Sequence, residues 1–237
     1  MHEANVPGVI LALVGAGIAG LFAAQLGRQY ASRRRHHALA WSLSFLCYLI
    51  GLLALAAGFA LGWSPPVYGV YWLTGALLNV PLLAVGQLHL IDPKRAVLWW
   101  TFALLFTVWT AGAMLTSSFD PAALETANAA GTIPGGTEVL GRDSLAYTVL
   151  RPFTIFGTLV VVGGCLWSGV RTRRYGILLI AVGVGISASS STFLRAGMDE
   201  LVAVALAVGI GVMYLGFRAA GKPSRRPKDV AAAGSGA

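Results

Sequence analysis

The chain has 237 residues, of which 57% are hydrophobic and only 11% are charged, whereas soluble domains carry about 25% charged residues. A soluble fold of this composition would expose large apolar patches, so the composition excludes a soluble globular domain and favours one embedded in a bilayer. The net charge of +8 does not predict nucleic-acid binding, because the basic residues are concentrated in alternate connectors between apolar segments.

Seven apolar segments, each long enough to cross a bilayer, follow one another along the chain. They are predicted over residues 7–26, 38–62, 67–90, 96–116, 143–170, 175–194 and 199–217. The sequence therefore predicts an all-α, polytopic membrane protein with one seven-helix domain over residues 1–220. Residues 221–237 are basic and then rich in Ala, Gly and Ser, which predicts a disordered tail.

The longest connector joins the fourth and fifth segments over residues 117–141. Asp120 and Pro121 have the residue types preferred at a helix N-cap and at the first helical position. They predict a short helix over Ala122–Ala130, and Gly131 is expected to end it.

The distribution of charge predicts the orientation of the chain in the membrane. Of the 17 basic residues, 14 lie in the connectors that follow the first, third and fifth segments or after the seventh, and seven of the nine acidic residues lie on the other side. By the positive-inside rule, the N-terminus is expected outside and the C-terminus in the cytoplasm. The basic side is expected to contact anionic lipid head groups. Arginine outnumbers lysine 14 to 3, which is typical of GC-rich coding and indicates a bacterial protein. The membrane is then expected to be a bacterial inner membrane.

A glycine motif in the first segment matches the G-x-G-x-x-G fingerprint of dinucleotide-binding enzymes. The motif lies in Val14–Leu21, within one uninterrupted apolar run, and residues 33–37 are basic where the fingerprint requires an acid. A strand before the motif and an acidic residue after it are both needed for that function. The small residues Ala12, Ala16 and Gly20 instead predict a helix–helix contact.

Residues that support metal, haem or covalent chemistry are sparse. His36 and His37 are adjacent and would point about 100° apart on a helix, so we interpret them as part of a solvated basic loop; His89 lies at the basic end of the third segment. Cys47 and Cys165 lie in separate apolar segments without a C-x-x-C motif. The last segment has no lysine for a retinal Schiff base. No catalytic site, metal or cofactor is predicted.

Uncharged polar residues on the outer halves of the third, fifth and sixth segments are the remaining candidates for a site. One interpretation is interhelical hydrogen bonding, which contributes about 0.6 kcal/mol per bond. The alternative is an outward-facing cavity that binds an anionic head group or a solute. Its predicted lining consists of Asn79, Arg151, Thr154, Thr158, Ser187, Ser190, Ser191 and Arg195.

Three classes of function follow from these features. The first is a non-enzymatic accessory, assembly or lipid-interacting component of a bacterial inner membrane, with the lipid bilayer and other membrane proteins as partners. The second is a transporter or channel for a small solute through the outer cavity. The third is a membrane enzyme or a haem-binding redox protein, which the sparse histidines disfavour. The lack of a central Asp or Glu argues against proton-coupled pumping.

Overall fold

A computed structural model describes residues 4–148, 150–173 and 175–220, except for the side chains of residues 150 and 151. Within these ranges the regular structure is entirely helical, and seven helices are long and apolar enough to cross a membrane. The prediction of an all-helical, multi-pass membrane protein is thereby confirmed. The tail predicted over residues 221–237 lies outside the described residues.

The helices are numbered here in chain order. The first four are α1 Val6–Arg33, α2 His36–Leu61, α3 Pro65–Ile91 and α4 Ala96–Leu115. Two short helices follow in the long connector, α5 Pro121–Ala130 and α6 Gly136–Val139. A single helical turn over Leu145–Thr148 leads to α7 Leu150–Thr172, α8 Tyr175–Arg195 and α9 Asp199–Ala220.

Helix α1 extends beyond the apolar run that predicts it. It continues to Arg33 rather than ending at Leu26, because the solvated residues that follow include good helix formers such as Arg and Gln. Arg34 ends the helix in the left-handed conformation, with a φ of 51°, and its N–H donates to the Tyr30 carbonyl at 2.7 Å. The glycine motif lies within this continuous helix, and Gly15 packs against Leu52 of α2, as expected of a helix contact.

Six helices form a closed ring through successive contacts in the order α1, α2, α3, α7, α8, α9 and back to α1. Helix α4 lies outside the ring, against α3. Consecutive helices run antiparallel, so the connectors gather at two ends. We call residues 33–37, 92–95 and 171–173 the basic end, and residues 61–65, 116–145 and 195–199 the loop end. Basic side chains that are distant in the sequence therefore lie close together.

Helix α3 contains a π-helical stretch over Tyr71–Leu78. Pro81 follows it, and proline in a helix lacks the N–H that would bond to the carbonyl four residues earlier and clashes with that carbonyl. A wider turn before Pro81 relieves that clash. The Ser44 hydroxyl of α2 donates to the Asn79 carbonyl at 2.6 Å, and a Cβ atom at Gly51 would lie 2.8 Å from the Gly75 Cα atom. Two glycines thus allow α2 to approach the π-helical stretch closely.

The long connector folds back over the loop end. The Asp120 side chain accepts a hydrogen bond from the Ala122 N–H at 2.9 Å, and Gly131 ends α5 with a φ of 64°, which confirms the predicted capping residues. The connector is attached to the turn between α2 and α3, where the Trp63 indole N–H donates to the Thr132 carbonyl at 2.9 Å. The side chain of Asp199, at the start of α9, accepts from the Ile133 N–H.

Candidate functional site

The eight polar residues predicted to line an outer cavity occupy several positions in the bundle. Ser187 faces the interior of the ring, where its hydroxyl lies beside the Tyr48 hydroxyl of α2. In the described part of the chain, the hydroxyl oxygens of Tyr48 and Ser187 have no hydrogen bond of good geometry. The buried Thr154 hydroxyl oxygen has none either. Asn79 is buried at the end of the π-helical stretch.

The remaining members of this set lie closer to the surface. Ser191 and Arg195 are exposed, and the Arg195 guanidinium donates to the Thr192 hydroxyl of its own helix at 3.5 Å. Thr158 and Ser190 are half-buried. The Arg151 side chain lies outside the described residues. The outer polar set is thus divided between the ring interior and the outer surface of α8, and the shared cavity remains a prediction.

The middle of the ring is filled by large apolar side chains. The void there has a volume of about 10 Å³, which is about the space that one water molecule requires. Its lining is entirely apolar and comprises Phe22, Trp41, Phe45, Leu83, Val161, Ile180 and Met213.

The basic end contains a larger cleft, with a volume of about 200 Å³. It forms where the turn between α1 and α2 meets the turn between α3 and α4. Its lining residues are Arg34, Arg35, His36, His37, His89 and Pro93. Five of these six side chains are basic, so the cleft is suited to an anion.

The backbone adds to the positive potential of the cleft. Arg35 is the N-cap of α2, and its side chain makes no capping hydrogen bond. The first N–H groups of a 26-residue helix therefore carry the positive end of the helix dipole without a capping side chain, which is a common setting for a phosphate. The Arg34 guanidinium lies 5.7 Å from the centre of the Tyr30 ring, which holds this side chain beside the turn.

His89 is the buried polar residue of the cleft, with 4% of its surface exposed. Its Nδ1 atom lies 2.8 Å from the Val85 carbonyl oxygen. Its Nε2 atom is buried and has no hydrogen-bond partner among the described residues. Buried polar atoms in folded proteins almost always have a partner, either another protein group or an ordered water, so a water molecule or a ligand in the cleft would complete the hydrogen bonding of this nitrogen.

Two aromatic contacts hold His36 over His89. The two imidazole rings are stacked, with 5.7 Å between their centres. The Trp100 indole N–H of α4 donates to His36 Nδ1 at 3.2 Å. The stack joins residues that are 53 positions apart in the sequence, because antiparallel helices bring the start of α2 and the end of α3 to the same end of the bundle.

The acidic residue in the adjoining connector is already paired. Asp92 forms a salt bridge with Arg95 at 3.4 Å, so its charge is partly balanced locally. The described residues contain no group of three or more His, Cys, Asp or Glu side chains that could hold a metal ion. The cleft is lined instead by arginine and histidine side chains beside the first N–H groups of α2, which are groups suited to an anion.

In the sequence, the adjacent pair His36 and His37 is predicted to be solvated, and His89 lies in a different segment. The meeting of the three histidines at one cleft was not predicted. The signal that would have found it is the alternation of basic connectors, since residues 33–37 and 89–95 both lie at basic boundaries of apolar segments. Comparison with models of protein families, with curated proteins and with solved structures finds no match to this chain.

Proposed function

We propose that this protein is a non-enzymatic, lipid-interacting component of a bacterial inner membrane and that it binds an anionic phospholipid head group at the basic end. The observation that carries the proposal is the cleft lined by two arginines and three histidines, in which the buried His89 Nε2 has no partner in the described part of the chain. A head group at this position keeps its acyl chains alongside the apolar helices.

The packing of the ring supports lipid binding over transport of a solute. A transport path needs a polar cavity that reaches the middle of the membrane, whereas the void inside the ring, which is lined mostly by its basic half, is apolar and about 10 Å³ in volume. The buried hydroxyls of Tyr48, Thr154 and Ser187 have no hydrogen bond of good geometry within the described ranges, which favours the alternative, a small polar solute or water held in the outer half of the ring. That alternative requires the long connector to move away from the loop end.

The proposal includes an orientation, with the N-terminus outside and the basic end in the cytoplasm, as the positive-inside rule predicts. Single cysteines at two exposed positions test it, Thr126→Cys in α5 and Ser32→Cys at the end of α1. We expect a membrane-impermeant maleimide to label Thr126→Cys in intact cells and Ser32→Cys only after permeabilisation. The parent chain, with the native cysteines in apolar helices, serves as the background control. The reverse labelling pattern would exclude this orientation.

The lipid proposal is tested by charge removal in the cleft. The double variant Arg34→Gln, Arg35→Gln should weaken retention of phosphatidylglycerol over phosphatidylcholine by about tenfold or more, because each hydrogen bond to a charged group contributes about 1.5–3 kcal/mol. Native mass spectrometry of protein released from mixed-lipid nanodiscs measures this retention.

The matched control is the double variant Arg171→Gln, Arg173→Gln. It removes the same charge from the same end of the bundle, but in a connector that does not line the cleft. Nonspecific attraction to an anionic surface contributes about 1 kcal/mol per basic residue, so both variants should lose this part. Equal losses in the two variants would show only surface attraction and would contradict a site.

A further inference from the structure

Six of the described residues have a positive φ, and their identities differ between the two ends of the bundle. Those at the loop end are glycines, namely Gly62, Gly131, Gly141 and Gly197. Those at the basic end are Arg34 and Arg173, each with a φ of 51°. Glycine adopts this conformation without steric strain, whereas the Cβ atom of another residue comes too close to the following carbonyl oxygen. The basic end thus keeps a side chain where glycine would make a more stable turn.

Arg34 follows the last residue of α1 and begins the two-residue turn to α2. A left-handed residue at this position reverses the chain, and its N–H donates to the Tyr30 carbonyl at 2.7 Å. The same backbone directs the Arg34 side chain. The guanidinium carbon lies 5.7 Å from the centre of the Tyr30 ring, and the residue lines the cleft. The strained turn therefore places a cation at the cleft.

The Arg34 guanidinium is available to a ligand. The side chain is exposed, and none of its N–H groups bonds to a carboxylate or carbonyl of a described residue. These groups form a planar fork that can bind two oxygens of a phosphate at once. Contact with the Tyr30 ring limits the rotamers of the long side chain, so less entropy is lost when a phosphate binds. Arg35, in contrast, has an ordinary extended backbone with a φ of −81°.

We propose that Arg34 binds the phosphate in the cleft by two hydrogen bonds and that the strained backbone at this position is retained for this contact. The inference rests on the proposed function and names the side chain that determines it. A general need for positive charge at the basic end would be met by an arginine at any exposed position there. The cleft gives Arg34 a role that Arg173, which does not line it, lacks.

Glycine and alanine at position 34 separate the strain from the contact with the ligand. Both variants, Arg34→Gly and Arg34→Ala, lack the guanidinium, but only glycine also removes the Cβ atom. At most positions glycine is less stabilising than alanine. Here the order is expected to reverse, with a Tm in mild detergent about 2–4 °C higher for Arg34→Gly than for Arg34→Ala, a typical shift for one unfavourable backbone contact in a chain of this length.

Arg173→Gly and Arg173→Ala are the matched controls, because Arg173 has the same φ and follows the last residue of α7. Their Tm values should differ in the same way. In nanodiscs of phosphatidylglycerol and phosphatidylcholine, both should retain phosphatidylglycerol about fivefold less well than the parent chain, the effect of one basic residue near an anionic surface. Both Arg34 variants should lose about tenfold more than that, because the two hydrogen bonds to the phosphate are lost as well.

Arg34→Lys keeps the charge and the Cβ atom but lacks the planar fork. It should match the parent chain in Tm. It should retain phosphatidylglycerol better than Arg34→Ala and less well than the parent chain. Retention equal to that of the parent chain would mean that a point charge is sufficient, and it would overturn the inference.

Equal losses of retention in the Arg34 and Arg173 variants also overturn the inference, and so does a Tm of Arg34→Gly below that of Arg34→Ala. The double variant Arg34→Gln, Arg35→Gln then tests the proposed function separately. If it loses more retention than Arg171→Gln, Arg173→Gln, the cleft binds a head group through its other groups and the proposed function stands. If the two double variants lose the same, the proposed function fails as well.

Discussion

Replacement of Gly183 by leucine is expected to force α8 away from α9 and to lower the free energy of unfolding by about 1–3 kcal/mol or more, the range of overpacking in a close-packed interior. A Cβ atom at Gly183 would lie 2.6 Å from the Gly209 carbonyl oxygen and 2.7 Å from the Met213 N atom. Both are backbone atoms of α9, so rotation of a side chain cannot remove the overlap. The helices themselves have to move.

The same close approach recurs seven residues before Gly183 in α8 and seven residues after Gly209 in the antiparallel α9. A Cβ atom at Gly176 would lie 2.7 Å from the Gly216 carbonyl oxygen. Small residues at such contacts allow transmembrane helices to approach backbone to backbone, where van der Waals contact rather than the hydrophobic effect stabilises them. The close packing of α8 against α9 therefore depends on glycine at these positions, and one added side chain would destabilise it.

Gly185→Leu is the matched control. It lies in the same helix, two residues away and exposed, and a Cβ atom there meets nothing within 4 Å. Both variants gain the same helix propensity of about 1 kcal/mol relative to glycine. Thermal unfolding in a mild detergent should show a lower Tm for Gly183→Leu only. A Tm of Gly183→Leu equal to that of Gly185→Leu would contradict the close contact between α8 and α9.

Asn128→Ala is expected to release the long connector from the loop end at a cost of about 1–3 kcal/mol, because it leaves two backbone groups of Trp63 without their partners. The Asn128 side-chain oxygen accepts from the Trp63 N–H, and its amide donates to the Trp63 carbonyl at 2.9 Å. Trp63 is 4% exposed. The single side chain of Asn128 thus satisfies both backbone groups at the turn between α2 and α3.

Limited proteolysis measures the release directly. The connector over residues 117–141 should be cleaved faster in Asn128→Ala than in the parent chain. Thr126→Ala is the control in the same short helix, since the exposed Thr126 hydroxyl donates only to the Ala122 carbonyl of its own helix. Equal cleavage rates for the two variants would mean that the contacts with Trp63 do not hold the connector.

The two ends of the ring differ in a way that bears on function. At the loop end the connector is bonded to Trp63, in the turn between α2 and α3, and to Asp199 at the start of α9. At the basic end the turns are short, and a cleft lies between them that contains a buried nitrogen without a partner among the described residues. The two ends thus differ in packing, since a connector covers one and a cleft opens at the other.

Local signals in the sequence account for much of the fold. Each of the seven long helices is predicted by an apolar run, because the length of such a run is set by the bilayer. Asp120 and Gly131 were identified as caps from residue type alone, since helix ends require specific hydrogen-bonding and backbone conformations. The flanks of the glycine motif in α1 lack both a strand and an acidic residue, which distinguishes the motif from a dinucleotide-binding site.

Other features depend on how the helices meet, and no local pattern encodes them. The π-helical stretch over Tyr71–Leu78 follows from Pro81 together with the close approach of α2 at Gly51. Ser187 belongs to a serine-rich run that predicts an outer polar face, yet it faces Tyr48 inside the ring while Ser191 faces outward. The rotation of α8 about its axis decides which of these two serines faces the ring interior and which faces outward. The contacts of α8 with α9 determine that rotation.

The cleft shows most clearly which features the sequence determines and which depend on how the helices pack. The sequence alone determined that this is a seven-helix membrane chain with its basic residues in alternate connectors, because hydrophobicity and charge act residue by residue against the bilayer. Only the tertiary structure brought His36 over His89 and buried His89 Nε2 where none of the described residues is its hydrogen-bond partner. The physical reason is that a hydrogen bond or a stacked ring depends on the relative position of two helices to within about an ångström, which their separate sequences do not contain.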